Sequence, residues 1–264
     1  MSKETSIAAY WPDGMNEDGL ADWARRLRAR LPAKAVSLGL VFLSPKFFPH
    51  AEQVLEILRL HAQIPLLAGC SGGGLVVNAE ELESTGGLVL ALYALPGATL
   101  KGVRLTQEQV AGADGENFWP GETGVARDKV NGWLAFLDPF QLDGERWLRS
   151  WNQNYSGVPV YGGLASGNHS EPRAQLYLDG EVFEDGGVAI AVGGDVTLAG
   201  VISQGCTPHR RGVDADARGT KPDPKHCQPA RLRRALRDGA KPAAGRTAQG
   251  AGQPPHWPGR ERIP

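Results

Sequence analysis

Cys70 and Ser71 lie inside a glycine run, Gly69-Cys70-Ser71-Gly72-Gly73-Gly74, directly after the short apolar stretch Ile64-Pro65-Leu66-Leu67. A thiol and a hydroxyl in such a turn could do two kinds of chemistry. The run matches G-x-S-x-G, the nucleophile elbow in which a serine attacks an acyl carbon. That elbow requires a helix immediately after the turn, whereas Leu75-Val76-Val77 prefers a strand. His169 is remote in sequence and nothing pairs it with an acid, and Cys70 has no basic neighbour in sequence to lower its pKa. The second chemistry is binding. Successive glycines let the backbone expose consecutive N–H groups, a concavity suited to carboxylates or phosphates. A plain Gly-Ser turn between strands fits the same residues, so the binding and structural readings both stand on sequence.

A related turn recurs. Ile64 to Gly73 reappears as Val158-Pro159-Val160-Tyr161-Gly162-Gly163-Leu164-Ala165-Ser166-Gly167, at the offset of 94 that also relates Phe42-Leu43-Ser44-Pro45 to Phe136-Leu137-Asp138-Pro139. Gly86-Gly87-Leu88-Val89-Leu90-Ala91 is likewise echoed by Gly186-Gly187-Val188-Ala189-Ile190-Ala191. A period of about a hundred residues is domain-sized, longer than solenoid repeats. Ser71 and Ser166 read as equivalents, adding hydroxyls from two sides of a cleft between the halves. The expected ligand-binding set is Cys70, Ser71, Gly72, Gly73, Ser166, Gly167 and Asn168, with Cys206 joining the rim from Gly205-Cys206-Thr207-Pro208. Ser71→Ala is expected to weaken binding and spare folding, the turn geometry resting on the glycines. No catalytic residue and no metal ligand is assigned. His50, His61 and His169 are isolated, and nucleotide-binding glycine motifs with their strand, helix and lysine are absent.

The elements that must position these turns follow from periodicity. Glu17–Leu31 predicts an amphipathic helix, acids leading and arginines ending it, with Leu20, Trp23, Ala24, Leu27 and Leu31 inward. Each half then starts with an apolar strand (Ser37–Leu43; Gly132–Leu137) stopped by Pro45 or Pro139. Amphipathic helices follow over about His50–Ala62 and Asp143–Asn152, then a short strand into the glycine turn, and two or three more strands. Trp119 and Trp151 read as core rings. The expected fold is α/β: two tandem homologous halves, about 36–105 and 130–206, with mixed β-sheets flanked by helices.

Composition narrows the class. The chain has 264 residues and a net charge of −1. Residues 1–208 carry a net −9, which argues against a nucleic-acid surface, while 209–264 carry a net +8. Three cysteines (Cys70, Cys206, Cys227) show no metal spacing or disulfide framework, which fits a reducing cytoplasm. No apolar run approaches a membrane span, and the segment after Met1 has no apolar signal core.

Pattern breaks after Pro208. Over 209–264 the Leu, Ile, Val and Phe residues are Val213, Leu232, Leu236 and Ile263, beside eight prolines. So little apolar surface cannot offset the entropy of ordering the segment. Two readings remain, a disordered basic tail or a frameshifted translation. One permitted back-translation from His209, read one nucleotide later, gives Ile-Gly-Glu-Ala-Trp-Thr-Leu, which has the patterning of folded protein.

The ordered set Val41-Phe42-Leu43-Ser44, Gly69-Cys70-Ser71-Gly72-Gly73, Gly86-Gly87, Gly162-Gly163 and Val201-Ile202-Ser203-Gln204-Gly205-Cys206-Thr207-Pro208 resembles the FIST N-terminal domain. The resemblance covers about residues 1–208, and the sequence departs from it at His209, where the family usually continues into a second, C-terminal domain. It implies a cytoplasmic sensory input domain for a small molecule, an amino acid or related metabolite, with no cofactor required, haem in some members, and no catalysis. A signalling partner such as a histidine kinase or cyclase is implied, and neither nucleic acid nor membrane. The rivals are a hydrolase using Ser71 or Cys70, a haem-binding gas sensor and a protein-interaction module.

Overall fold

The structure, a computed structural model, describes residues 5–83, 86–167 and 172–200. The chain divides into a unit Met1–Ala199 and a unit Gly200–Pro264, and every element below belongs to the first. Asn168, His169, Cys206 and the whole 209–264 segment lie outside the described residues.

In chain order the elements are β1 (Ser6–Trp11), α1 (Glu17–Arg30), β2 (Leu38–Leu43), a 3-10 turn (Pro45–His50) running into α2 (Ala51–His61), β3 (Leu67–Ser71), β4 (Gly74–Val77), β5 (Glu80–Glu83), β6 (Leu88–Tyr93) and β7 (Ala98–Leu105). There follow α3 (Gln107–Gly112), α4 (Phe118–Thr123), β8 (Gly132–Leu137), α5 (Gly144–Asn154), β9 (Val160–Leu164), β10 (Leu176–Leu178), β11 (Glu181–Phe183) and β12 (Gly187–Gly194). The protein is mixed α/β, as its periodicities predict. Asn16 caps α1 by accepting from the Gly19 N–H, and Asp143 caps α5 by accepting from the Arg146 N–H. Each oxygen satisfies a first-turn amide that has no partner within its helix.

Six strands form one sheet in the order β1-β6-β2-β3-β10-β11, and four form a second in the order β7-β12-β8-β9. The hairpin β4-β5 stands as a third, two-stranded sheet. β2 and β3 are parallel, as are β8 and β9; the other pairs are antiparallel. Exchange ties the unit together. β10-β11 joins the sheet built on β2 and β3, and β7 joins the sheet built on β8 and β9.

Alternation along the central strands settles what each sheet face meets. In β8, Trp133, Ala135 and Leu137 point to a cluster with Trp119, Trp147, Trp151 and Tyr155 of the α4–α5 region. The ring centres of Trp133, Trp151 and Tyr155 lie 4.8–5.1 Å from one another in edge-on and tilted contacts. Leu134 and Phe136 point the other way, into the seam between the two large sheets. β2 does the same, with Leu40 and Phe42 in that seam. Phe42 and Phe136 meet there edge to face at 5.6 Å, a favoured aromatic geometry. Val41 and Leu43 point to the opposite face, where α1 and α2 bury Leu20, Trp23, Leu27, Val54, Leu55 and Leu58. Among the described residues, no helix is long and apolar enough to cross a membrane.

Candidate functional site

The turns after β3 and β9 meet. β3 is buried along its whole length and delivers Ser71 to its carboxyl end, where Ser71 lies opposite Leu43 of β2. The Ser71 hydroxyl donates to the Ser166 carbonyl at 2.7 Å and accepts from the Gln175 N–H at 2.9 Å. Backbone bonds complete the knot. The Ser166 N–H donates to the Ser71 carbonyl (3.1 Å), the Ser71 N–H to the Gln175 carbonyl (2.8 Å), and the Gly72 N–H to the Leu43 carbonyl (2.9 Å). The Gly73 N–H donates to the Ser166 hydroxyl at 3.0 Å. The structure therefore brings together Cys70, Ser71, Gly72, Gly73, Ser166 and Gly167.

Two expectations change on these facts. Ser71 is 1% exposed and both its hydroxyl bonds go to backbone groups, so the hydroxyl serves the fold and the turn does not rest on glycine alone. The equivalence of Ser71 with Ser166 is corrected by register. Leu164 lies opposite Leu137 as Ser71 lies opposite Leu43, which makes Ser166 the counterpart of Gly73. An offset of 94 aligns the first strands and 93 the second.

The turn's amides are spoken for as well. Ser71, Gly72 and Gly73 each donate within the protein, so an anion entering here would compete for a donor already in use. Gly73 is the place for that competition, because Gly73 and Ser166 are exposed whereas Ser71 and Gly72 are buried. Directly after the turn comes strand β4, not a helix, so the strand-to-helix geometry of a nucleophile elbow is not present. Burial pushes the Cys70 thiol up to about 12, far from a reactive thiolate.

Residues that local sequence reading passes over surround the knot. Gln175, 2% exposed, holds Ser71 through its backbone, while its side chain donates to Glu184 at 3.2 Å and accepts from the Tyr177 hydroxyl at 3.3 Å. Arg173 pairs with Glu184, and its guanidinium lies 5.4 Å from the Phe48 ring centre. The Arg173 hydrogen bond holds the Glu184 carboxyl below its usual range, against a smaller opposing effect of burial. Gln175 is 104 residues from Ser71, and no local pattern marks it. A separate open groove of about 780 Å³ runs between α2 and β10-β11, lined by Glu52, Glu56, Arg59, Asp179 and Glu181 among others. None of the expected site residues lines it, and its surplus of carboxylates disfavours an anion. Among the described residues, no group of three or more His, Cys, Asp or Glu side chains is placed to hold a metal ion.

Comparison with known proteins adds the family. Residues 37–213 match the FIST N domain. An uncharacterized protein of Mycobacterium tuberculosis is 27% identical over 179 residues, covering 67% of this chain and 43% of that protein. An uncharacterized protein of Mycobacterium bovis is 26% identical over 186 residues, covering 70% of this chain and 46% of that one. The chain thus spans less than half the length of these relatives. With the match running over most of the chain and through both sheets and both glycine turns, the protein belongs to the FIST family, whose domain is a sensory domain of signal-transduction proteins.

Proposed function

We propose that this chain is a cytoplasmic sensor domain for a small anionic metabolite, an amino acid or a close relative, that passes its state to a signalling partner such as a histidine kinase or cyclase. One observation carries the placement of the site: the Gly73 N–H, exposed at the meeting of the two turns, is held by the mobile-by-nature hydroxyl of Ser166. A ligand carboxylate would take the Gly73 N–H, and the released Ser166 hydroxyl would rotate to donate to the same carboxylate. The exchange trades a neutral hydrogen bond for charge-assisted ones, which are stronger. Cys70, Ser71 and Gly72 act from beneath, fixing the turn, while Gly167 flanks Ser166; Asn168 and Cys206 belong to the same proposal. Family membership supports a sensory role, and the exposed meeting of the two turns leaves the Gly73 N–H within reach of a ligand.

The test is a thermal-shift panel of amino acids and related metabolites, since a ligand that favours the native state raises its melting temperature. A hit should bind more weakly to Ser166→Ala, by about 0.5–1.5 kcal/mol, or about 1.5–3 if the ligand group is charged. No hit across the panel, or a hit indifferent to Ser166→Ala by calorimetry, would count against this site. Labelling of Ser71 by an active-site serine probe would restore the hydrolase reading.

A further inference from the structure

The two large sheets end differently. On β3 the hairpin β10-β11 adds the next strands, with Leu176 opposite Cys70, Tyr177 opposite Gly69 and Leu178 opposite Ala68. β9 occupies the matching place beside β8, and a Cβ at Gly162 would run into the Ala135 carbonyl as one at Gly69 would run into the Val41 carbonyl. Yet among the described residues β9 is the outermost strand of its sheet, and Leu164 is 62% exposed. An edge strand left open for good is ordinarily guarded by a charge, a proline or a bulge; Val160-Tyr161-Gly162-Gly163-Leu164 carries neither charge nor proline.

The hairpin that would complete this sheet exists. Leu75-Val76-Val77-Asn78-Ala79-Glu80-Glu81-Leu82-Glu83 parallels Leu176-Tyr177-Leu178-Asp179-Gly180-Glu181-Val182-Phe183-Glu184, and Asn78 and Asp179 turn the two hairpins at φ 54° and 52°. Packing corresponds too. Leu75 and Val77 cluster with Phe42 and Val89, as Leu176 clusters with Phe136 and Val188. But among the described residues β4 pairs with β5 alone, Val76 is 66% exposed, and a Cβ on Gly74 would meet nothing within 4 Å. Both open edges start from one point. β4 begins directly after Gly73, β9 ends two residues before Ser166, and these two residues are hydrogen-bonded.

We propose that β4-β5 is a strap that closes onto β9, with Leu75 opposite Gly163, Val76 opposite Gly162 and Val77 opposite Tyr161, turning the four-stranded sheet into a six-stranded one. The register is that of β10 on β3, shifted to the matching positions. Val76 then lies across from Gly162, which has no side chain, as the buried Tyr177 lies across from Gly69. In the structure β4-β5 is not paired with β9. Resting on the sensor reading above, the ligand acts on this step: displacing Ser166 from Gly73 moves the first residue of the strap, and the strap's position is what a partner reads.

The register places residue 74 opposite residue 164, both exposed. In the full chain carrying Cys206→Ser and Cys227→Ser, the pair Gly74→Cys and Leu164→Cys is oxidised with copper phenanthroline without any ligand. The expected result is a disulfide within one chain for most of the protein, with the out-of-register pair Val76→Cys and Leu164→Cys staying reduced. Amide hydrogen exchange of unsubstituted protein should slow at least tenfold along β9 relative to an open edge. A Gly74/Leu164 pair that stays reduced, or that links two chains instead, overturns the strap. A ligand from the panel that leaves the cross-linking rate unchanged overturns its coupling to the site. Because the cross-link needs no ligand, its failure is distinguishable from failure of the sensor reading.

Discussion

The Ser71 hydroxyl donates to the Ser166 carbonyl while the Ser166 N–H donates to the Ser71 carbonyl, so two residues 95 positions apart clasp each other through a side chain and through the backbone. This clasp, buried on the Ser71 side and exposed on the Ser166 side, makes the two serines unequal.

Ser71→Ala should therefore destabilise the protein by about 1–3 kcal/mol, because it strands the buried Gln175 N–H and frees the Ser166 carbonyl. Ser166→Ala removes a single hydroxyl contact at an exposed position and should cost less than about 1 kcal/mol. Urea unfolding of both variants gives the comparison. Equal losses would mean that the Ser71 bonds contribute nothing beyond what Ser166 does.

Gly69 and Gly162 have no room for a methyl group. A Cβ at either would lie 1.8 Å from the carbonyl oxygen of the neighbouring strand, Val41 or Ala135. Gly69→Ala and Gly162→Ala should each cost about 1–3 kcal/mol or more through forced strand separation. At Gly163 a Cβ meets nothing within 4 Å, so Gly163→Ala should be near neutral. Melting temperatures of the three variants check the contrast, and a tolerated Gly162→Ala would contradict the close pairing of β8 with β9.

Cys70 should be inert while the protein is folded. Its thiol is pushed up to about 12 by burial, so the thiolate is scarce at pH 8. In a Cys206→Ser, Cys227→Ser variant, iodoacetamide should label Cys70 only as fast as the protein unfolds, with the rate rising in urea. Rapid labelling of native protein at pH 8 would show an accessible, activated thiol and revive Cys70 as a nucleophile.

The pair of Arg173 with Glu184 gives a pH signature of known sign. The folded state holds the Glu184 carboxyl below its usual range, first through the Arg173 hydrogen bond. Its contribution is therefore complete above the ordinary carboxylate range and is lost as pH falls through the lowered folded value. Both side chains are about half exposed, so solvent screening keeps the contribution under about 1 kcal/mol. Glu184→Gln should be less stable than the parent at pH 7, and the gap should close in acid. A gap that widened on acidification would reverse the assigned sign.

Local pattern was enough for much of the frame. The heptad-like stripe of Leu20, Trp23, Ala24 and Leu27 marks α1 because a 3.6-residue period turns those positions to one side. The apolar run Gly132–Leu137 reads as a central strand and is one, buried from both faces. The glycine turns are legible too, since Gly72-Gly73-Gly74 and Gly162-Gly163 stand out directly in the chain. What sequence could not supply is partnership across distance. That β10-β11 pairs with β3, that Gln175 satisfies Ser71, and that Leu164 lies opposite Leu137 as Ser71 lies opposite Leu43 all depend on sheet register. Register is a relation between strands, set by which faces must be buried together. A one-residue slip leaves composition and periodicity unchanged while turning every side chain to the other face. The residue types at the turns are thus written in the chain, and only the packed sheets decide which hydroxyl is buried as a clasp and which stays exposed.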